Sequence, residues 1–439
     1  MKRTLAAATL AAIITTPQAA ENWLATWQAS PHAAWEASEF ALPTGVPAKL
    51  ERQTVRETAR ISVGGSRLRV VLSNRYGMQP LAVGEVRVGR AGETMRPLTF
   101  GGQVSVVIPP GAPALSDALE MPVAALEKLA VSVYLPEHTP LATFHWGAQQ
   151  TGVIVDGNRT ADATLRDGQP LHGRALLSGI WVVAPAEAAT ATVPSTATTA
   201  TATGATGATA AASEATATGA MATAAARPAA GVVAAFGDSI TDGNGSTPDQ
   251  DHRWPDYLAA RLSPGGVPVV NAGISGARLL GDRMGINAAA RFEQDVLSQP
   301  GVRTAIVLMG INDIGWPRSI FAPHEAPMTF NRMIAAYRQL IAQARARQVR
   351  IIGATLPPFE GTAIDGYYTP AKDALRRQVN QWIRESKEFD AVADMDALLR
   401  DPQQPSRMQP RYDSGDHLHP GDAGYEAMAD EVARVLSRY

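Results

Sequence analysis

The chain has 439 residues, a formal net charge of −2 and no cysteine. That length can bury at least one substantial core and exceeds what one domain usually needs; the missing cysteines exclude disulfides and a lipid-modified N-terminal cysteine. A near-neutral balance without long basic runs leaves no electrostatic footprint for nucleic acid.

In chain order, residues 1–20 read MKRTLAAATLAAIITTPQAA. Lys2 and Arg3 precede an apolar stretch from Leu5 to Ile14, and small residues follow before Glu21. This is the order of a secretory signal, and the apolar part is too short to span a bilayer. An uncleaved buried helix is the alternative. With export comes the expectation of a soluble protein, periplasmic or outside the cell, with no stable membrane insertion.

Residues 21–184 show period-two alternation. Leu68, Val70 and Leu72 fall on one face of SRLRVVLSN, and Leu129, Val131, Val133 and Leu135 on one face of KLAVSVYLP. Short runs of this kind, divided by Gly, Pro and Asn signals, predict a β-sandwich or barrel, an accessory domain without a catalytic set of its own. Its Trp23, Trp27, Trp35 and Trp146 could stack on sugar rings, although aromatics in a sandwich more often fill the core.

Residues 185–230 are almost entirely Ala, Thr, Gly, Ser, Pro and Glu. Such a composition cannot bury enough apolar surface to offset its ordering entropy, so a flexible linker is expected. Forty-odd flexible residues would span roughly 35 to 40 Å, enough for the flanking domains to pack or to separate. An Ala-rich helix and an O-glycosylated stalk are the alternatives, the first weakened by Gly and Thr.

From 231 to 439 the pattern changes. Apolar runs at 232–236, 267–270, 305–309, 350–354 and 391–394 alternate with amphipathic segments at 253–262, 286–298, 328–347, 371–388 and 421–437. Alternation of this kind predicts an α/β, doubly wound (flavodoxin-like) parallel sheet covered by helices. Strands of such a sheet end on one edge, where ligands bind at the switch point in strand order. Three polar stretches follow the first three strands: GDSITDG, NAGISG and GINDIG. A fourth, DSGDHLHPGDAGY, precedes the last helix. Any one alone reads as a turn. Together they bring a serine, a glycine N–H, an asparagine amide and an Asp/His pair to one rim, the parts of a hydrolase that works through an acyl intermediate.

These four stretches resemble the SGNH, or GDSL-type, hydrolase family, whose marker residues fall here on Ser239, Gly273, Asn312 and His419. WLATWQASP at 23–31 and the β-rich half after it look like the N-terminal domain of one secreted branch of that family, although the long Ala/Thr stretch departs from a compact junction. The resemblance implies esterase or lipase-like activity on small acyl esters, often sugar O-acetyl groups, with no metal or other cofactor. In that scheme Ser239 is the nucleophile, His419 its base and Asp416, three residues earlier, the orienting acid. The N–H groups of Ser239 and Gly273 and the side-chain amide of Asn312 form the expected oxyanion hole. Asn312 also has the propensity to cap a helix or close a turn.

His417 is open to three readings: exchange of roles with His419, a metal site with Asp416, His419 and Asp422, or a surface loop residue. Asp238, Asp242 and Asp313 read as loop braces. Trp254, Trp316, Phe359, Tyr367 and Tyr368 could form acyl or sugar subsites or simply pack, so no substrate-binding residue is assigned. GDSI is not the G-x-S-x-G elbow, and no phosphate loop or dinucleotide fingerprint occurs. The sequence therefore points to an exported serine esterase acting on a small-molecule or glycan ester. An O-acyltransferase and a non-catalytic glycan-binding protein are the competing readings.

Overall fold

The computed structural model describes residues 21–35, 40, 42–183 and 231–438, so the expected signal segment and Ala/Thr-rich linker lie outside the described residues.

Alternation in the first half folds as the strand period dictates. Gly65–Ser73 and Lys128–Leu135 are strands, and Leu68, Leu72, Leu129 and Leu135 point into one apolar core. Two antiparallel sheets enclose that core. One is built on Trp23–Gln28, Leu177–Val183 and Gly65–Ser73, with Pro113–Leu115 and Leu119–Val123 both paired to the last of these. The other runs Gln169–His172, Thr151–Asp156, Gln53–Arg60, Lys128–Leu135, Glu85–Arg90 and Arg96–Leu98.

The second half holds a five-stranded parallel sheet in the order Val269–Gly273, Val232–Gly237, Val302–Leu308, Arg350–Ala354, Ala391–Ala393. In chain order this is 2-1-3-4-5, with the switch point between the first and third strands. Helices Trp254–Leu262, Phe330–Ala346, Pro370–Glu385 and Asp422–Leu436 form where the sequence places them. The segment expected at 286–298 is shorter, Ala288–Phe292 followed by a wider turn at Glu293–Leu297. Three one-turn helices, Ser239–Asp242, Ile311–Gly315 and Met395–Leu399, lack the length for a periodic signal.

The two halves are joined through an interface that is polar as well as apolar. Leu24, Ala25 and Phe40 belong to the core of the parallel-sheet half. The Ala25 N–H donates to the Pro300 carbonyl at 3.0 Å, Gln28 Nε2 to the Asp295 carbonyl at 2.8 Å, and the Val269 N–H to Ser62 Oγ at 3.1 Å. Strand Trp23–Gln28 thus serves both cores at once.

Candidate active site

Strand Val232–Gly237 is buried along its whole length. Where it ends, the chain turns sharply into the helix Ser239–Asp242. A side chain on Gly237 would put its Cβ 2.0 Å from Thr241 Oγ1 and 2.6 Å from the Leu308 carbonyl, so only glycine fits the turn. Asp238 caps the helix, accepting the Ile240 N–H at 3.1 Å. Buried Arg291 donates to the carbonyls of Gly237 and Ala272 and so pins the ends of two adjacent strands beside Ser239.

On the loop before the last helix, Asp416 Oδ1 accepts the N–H groups of Leu418 and His419, at 2.9 and 2.8 Å. Asp416 Oδ2 lies 2.5 Å from His419 Nδ1, and His419 Nε2 lies 2.7 Å from Ser239 Oγ. Burial alone would raise the Asp416 carboxyl, but the His419 imidazole and these N–H donors outweigh it and hold it well below the usual carboxylate range. Ser239, His419 and Asp416 therefore form one continuous hydrogen-bonded chain: a hydroxyl, an imidazole able to take its proton, and an ionised carboxylate behind it.

Asn312 lies in the first turn of the helix Ile311–Gly315, after the third strand. Its Oδ1 accepts from Trp316 Nε1 at 3.1 Å and the Tyr367 hydroxyl at 2.7 Å. The amide nitrogen is thereby turned the other way, with one N–H on the Ala277 carbonyl at 3.0 Å and a second to spare. Trp316 and Tyr367 are buried, as are Trp254 and Phe359, and these four pack; Tyr368 is half-buried and donates to Glu360.

Gly273 departs from the expected oxyanion donor. It ends strand Val269–Gly273, and Asn271, two residues earlier, accepts its N–H at 2.8 Å. The next glycine, Gly276, has φ of 75° in the following turn. Neither its N–H nor that of Ser239 has an acceptor among the described residues. The turn at 275–277 is held from both sides: Asp242 Oδ2 accepts the Ser275 N–H at 2.9 Å, and the Ala277 carbonyl takes the Asn312 amide.

Three aspartates brace this rim. Burial pushes the Asp238 carboxyl up to about 7 and that of Asp313 up to about 6, the latter against the N–H groups of Leu279 and Leu280 that it accepts. Asp242 reaches across the domain interface. Its Oδ1 lies 2.9 Å from His145 Nε2, while His145 Nδ1 lies 2.8 Å from the Ser30 carbonyl, all within a buried contact. Oxygens thus face both ring nitrogens of His145. Sequence reasoning missed His145, which has no motif around it and lies 97 positions from its partner. His417, at φ 62°, pairs with Asp413 at 2.6 Å on the surface, which is the loop reading of that residue. His252 is tied to Asp422 at 2.7 Å.

Residues 235–427 match the model of the GDSL-like Lipase/Acylhydrolase family. Among solved structures, a GDSL-like lipase from Bacteroides thetaiotaomicron is 17% identical, with a TM-score of 0.36 over 47% of this chain and 88% of its own. A catalytic mutant of an acetylxylan esterase from Geobacillus stearothermophilus is 23% identical, with a TM-score of 0.36 over 46% of this chain and 93% of its own. No curated protein matches the chain.

Proposed function

With residues 235–427 a GDSL-like lipase/acylhydrolase domain, we propose that this chain is an exported serine esterase that hydrolyses short acyl esters, O-acetyl groups on carbohydrates foremost, by way of an acyl-enzyme. The observation that carries this reading is the contact of Ser239 Oγ with His419 Nε2 at 2.7 Å, backed by Asp416.

Ser239 Oγ attacks the ester carbonyl while His419 Nε2 takes the hydroxyl proton, which removes the barrier to using a neutral alcohol as nucleophile. Asp416, ionised, stabilises the imidazolium and keeps its Nδ1 proton in place. Negative charge passes to the carbonyl oxygen, met by the N–H groups of Ser239 and Gly276 and the spare N–H of Asn312. Gly276 takes the part the sequence assigns to Gly273, whose N–H is already bound. The intermediate collapses as the C–O bond to the alcohol breaks and His419 returns the proton to the departing oxygen. Water then enters, gives a proton to His419 and attacks the acyl-enzyme; the acid leaves and Ser239 regains its proton.

The preference for short acyl groups on sugars follows the family resemblance, and export follows the segment led by Lys2 and Arg3. Hydrolysis of p-nitrophenyl acetate by the full-length mature protein tests the chemistry. Wild-type turnover with loss in Ser239→Ala is expected, and equal rates in the two would overturn the reading. N-terminal sequencing of protein recovered from the periplasm or medium tests export: a start near residue 21 is expected, and an intact Met1 would contradict it.

A further inference from the structure

The strand-rich half forms one wall of a cleft that opens on His419. Its volume is about 540 Å³, within the range of small-molecule sites. His419, Asp416 and Asn244 line one side, and Trp146, Gln149, Gln150 and Thr151 line the other. Resting on the esterase reading above, we propose that this cleft is the subsite for the leaving alcohol, and that residues 146–151 select an uncharged, polyhydroxylated alcohol.

Position argues for the alcohol rather than the acyl group. In acyl transfer, the base that takes the serine proton must hand it to the departing oxygen, so the alcohol lies on the imidazole side. The acyl oxygen lies toward the N–H donors of Ser239, Gly276 and Asn312. A cleft that reaches His419 and Asp416 therefore receives what is attached to the leaving oxygen.

The lining argues for hydroxyl groups. Gln149 Nε2 is held by Asn244 Oδ1 at 3.1 Å, and Gln150 Nε2 by Asp249 Oδ1 at 3.1 Å. The side-chain amide oxygens of both glutamines and the Asn244 amide nitrogen have no partner among the described residues. Acceptors and donors in alternation suit hydroxyls, which do both. Among the described lining residues the one carboxylate is Asp416, already committed to His419, so nothing there calls for a charged alcohol.

The wall is also built onto the catalytic loop rather than laid beside it. Gly147, at φ 76°, lies so close that a Cβ would sit 2.3 Å from Ser275 Oγ and 2.6 Å from Asp242 Oδ2. The Gln149 carbonyl accepts the Asp249 N–H at 2.9 Å, and Asp249 Oδ1 accepts the Thr151 N–H at 2.5 Å. Gln149 itself is held at φ 49°, a left-handed conformation costly for a non-glycine residue and sustained by these ties.

The test uses the full chain, partially acetylated xylotriose and octyl acetate. Gln149→Ala and, separately, Gln150→Ala are expected to raise KM for the xylotriose ester with little change in kcat. The ratio of kcat/KM for xylotriose ester over octyl acetate should fall about tenfold, the size of one or two lost hydrogen bonds. Equal losses on both esters would make the segment a brace and overturn the proposal, as would an unchanged ratio. Melting temperatures close to wild type in either variant identify the protein in which to read that ratio. Failure of the esterase reading shows separately, as Ser239→Ala retaining wild-type rates. In that case calorimetric titration of Ser239→Ala with xylotriose decides: binding weakened about tenfold by adding Gln149→Ala sustains the cleft as a hydroxyl-binding subsite, and unaltered or absent binding refutes it.

Discussion

Two histidine–aspartate pairs flank Ser239, one within the second half of the chain and one joining the two halves, and they are opposite in kind. His419 has a carboxylate at Nδ1 and a hydroxyl at Nε2. Its Nε2 therefore faces a group that can both donate and accept. His145 has a carbonyl at Nδ1 and a carboxylate at Nε2, both acceptors, inside a buried interface. Neither partner there is a hydroxyl that can both donate and accept. We propose that the same two residue types make a proton relay in one place and a strut in the other. What separates them is the group on the far side of the ring.

This comparison breaks at its strongest point if the relay can be dispensed with. Ser239→Ala, His419→Ala or Asp416→Asn should each cut kcat for p-nitrophenyl acetate by about 10⁴-fold, with the fold intact. Circular dichroism alongside initial rates separates chemistry from misfolding. Asn312→Ala comes next, with an expected loss of about 100- to 1000-fold in kcat at similar KM; a loss under about threefold would remove its amide from the oxyanion site.

The strut should answer in stability rather than in chemistry. His145→Ala removes a buried hydrogen-bond partner of Asp242, which should cost about 1 to 3 kcal/mol in urea unfolding. His145→Gln, which can still donate one N–H to Asp242, should recover part of this. If His145→Ala instead matched His419→Ala in lost turnover at unchanged stability, the distinction between the pairs would collapse.

The smallest effect concerns pH. With burial holding it near 7, the Asp238 carboxyl keeps a proton in the folded state that the unfolded chain loses near its ordinary value of about 4. Its contribution to stability is complete below about pH 4 and lost as pH rises through about 7. Asp238→Asn keeps an oxygen for the Ile240 N–H and cannot ionise. The variant should melt with a flatter pH dependence between 5 and 8 and gain most on wild type at pH 8. Asp313, raised in the same direction, leaves a residual slope. A slope identical to wild type would contradict the burial of an acid at 238.

Much of the molecule is legible in the sequence because local rules decide it. Apolar runs too long for one-sided strands give the parallel sheet, and strand ends gather Ser239, Asn312 and the loop of Asp416 and His419 on one rim. Legibility fails where the answer depends on contacts between distant segments. Gly273 and Gly276 are equally glycine in NAGISG; only the fold reveals that Asn271 takes the first N–H and leaves the second. Trp316 and Tyr367 read as subsite candidates, yet they lie behind Asn312 and fix which way its amide faces. The strand-rich half reads as an accessory module because its alternation says nothing of what its edges touch. His145 and Gly147 become meaningful only beside Asp242 and Ser275, across the whole Ala/Thr-rich stretch.

The most direct test of the central claim is covalent. Full-length mature protein treated with diethyl p-nitrophenyl phosphate, digested and sequenced by mass spectrometry should carry one diethylphosphoryl group, on Ser239. Labelling should be abolished in Ser239→Ala and severely slowed in His419→Ala. A label on another residue, or equal labelling of Ser239→Ala, would contradict the account.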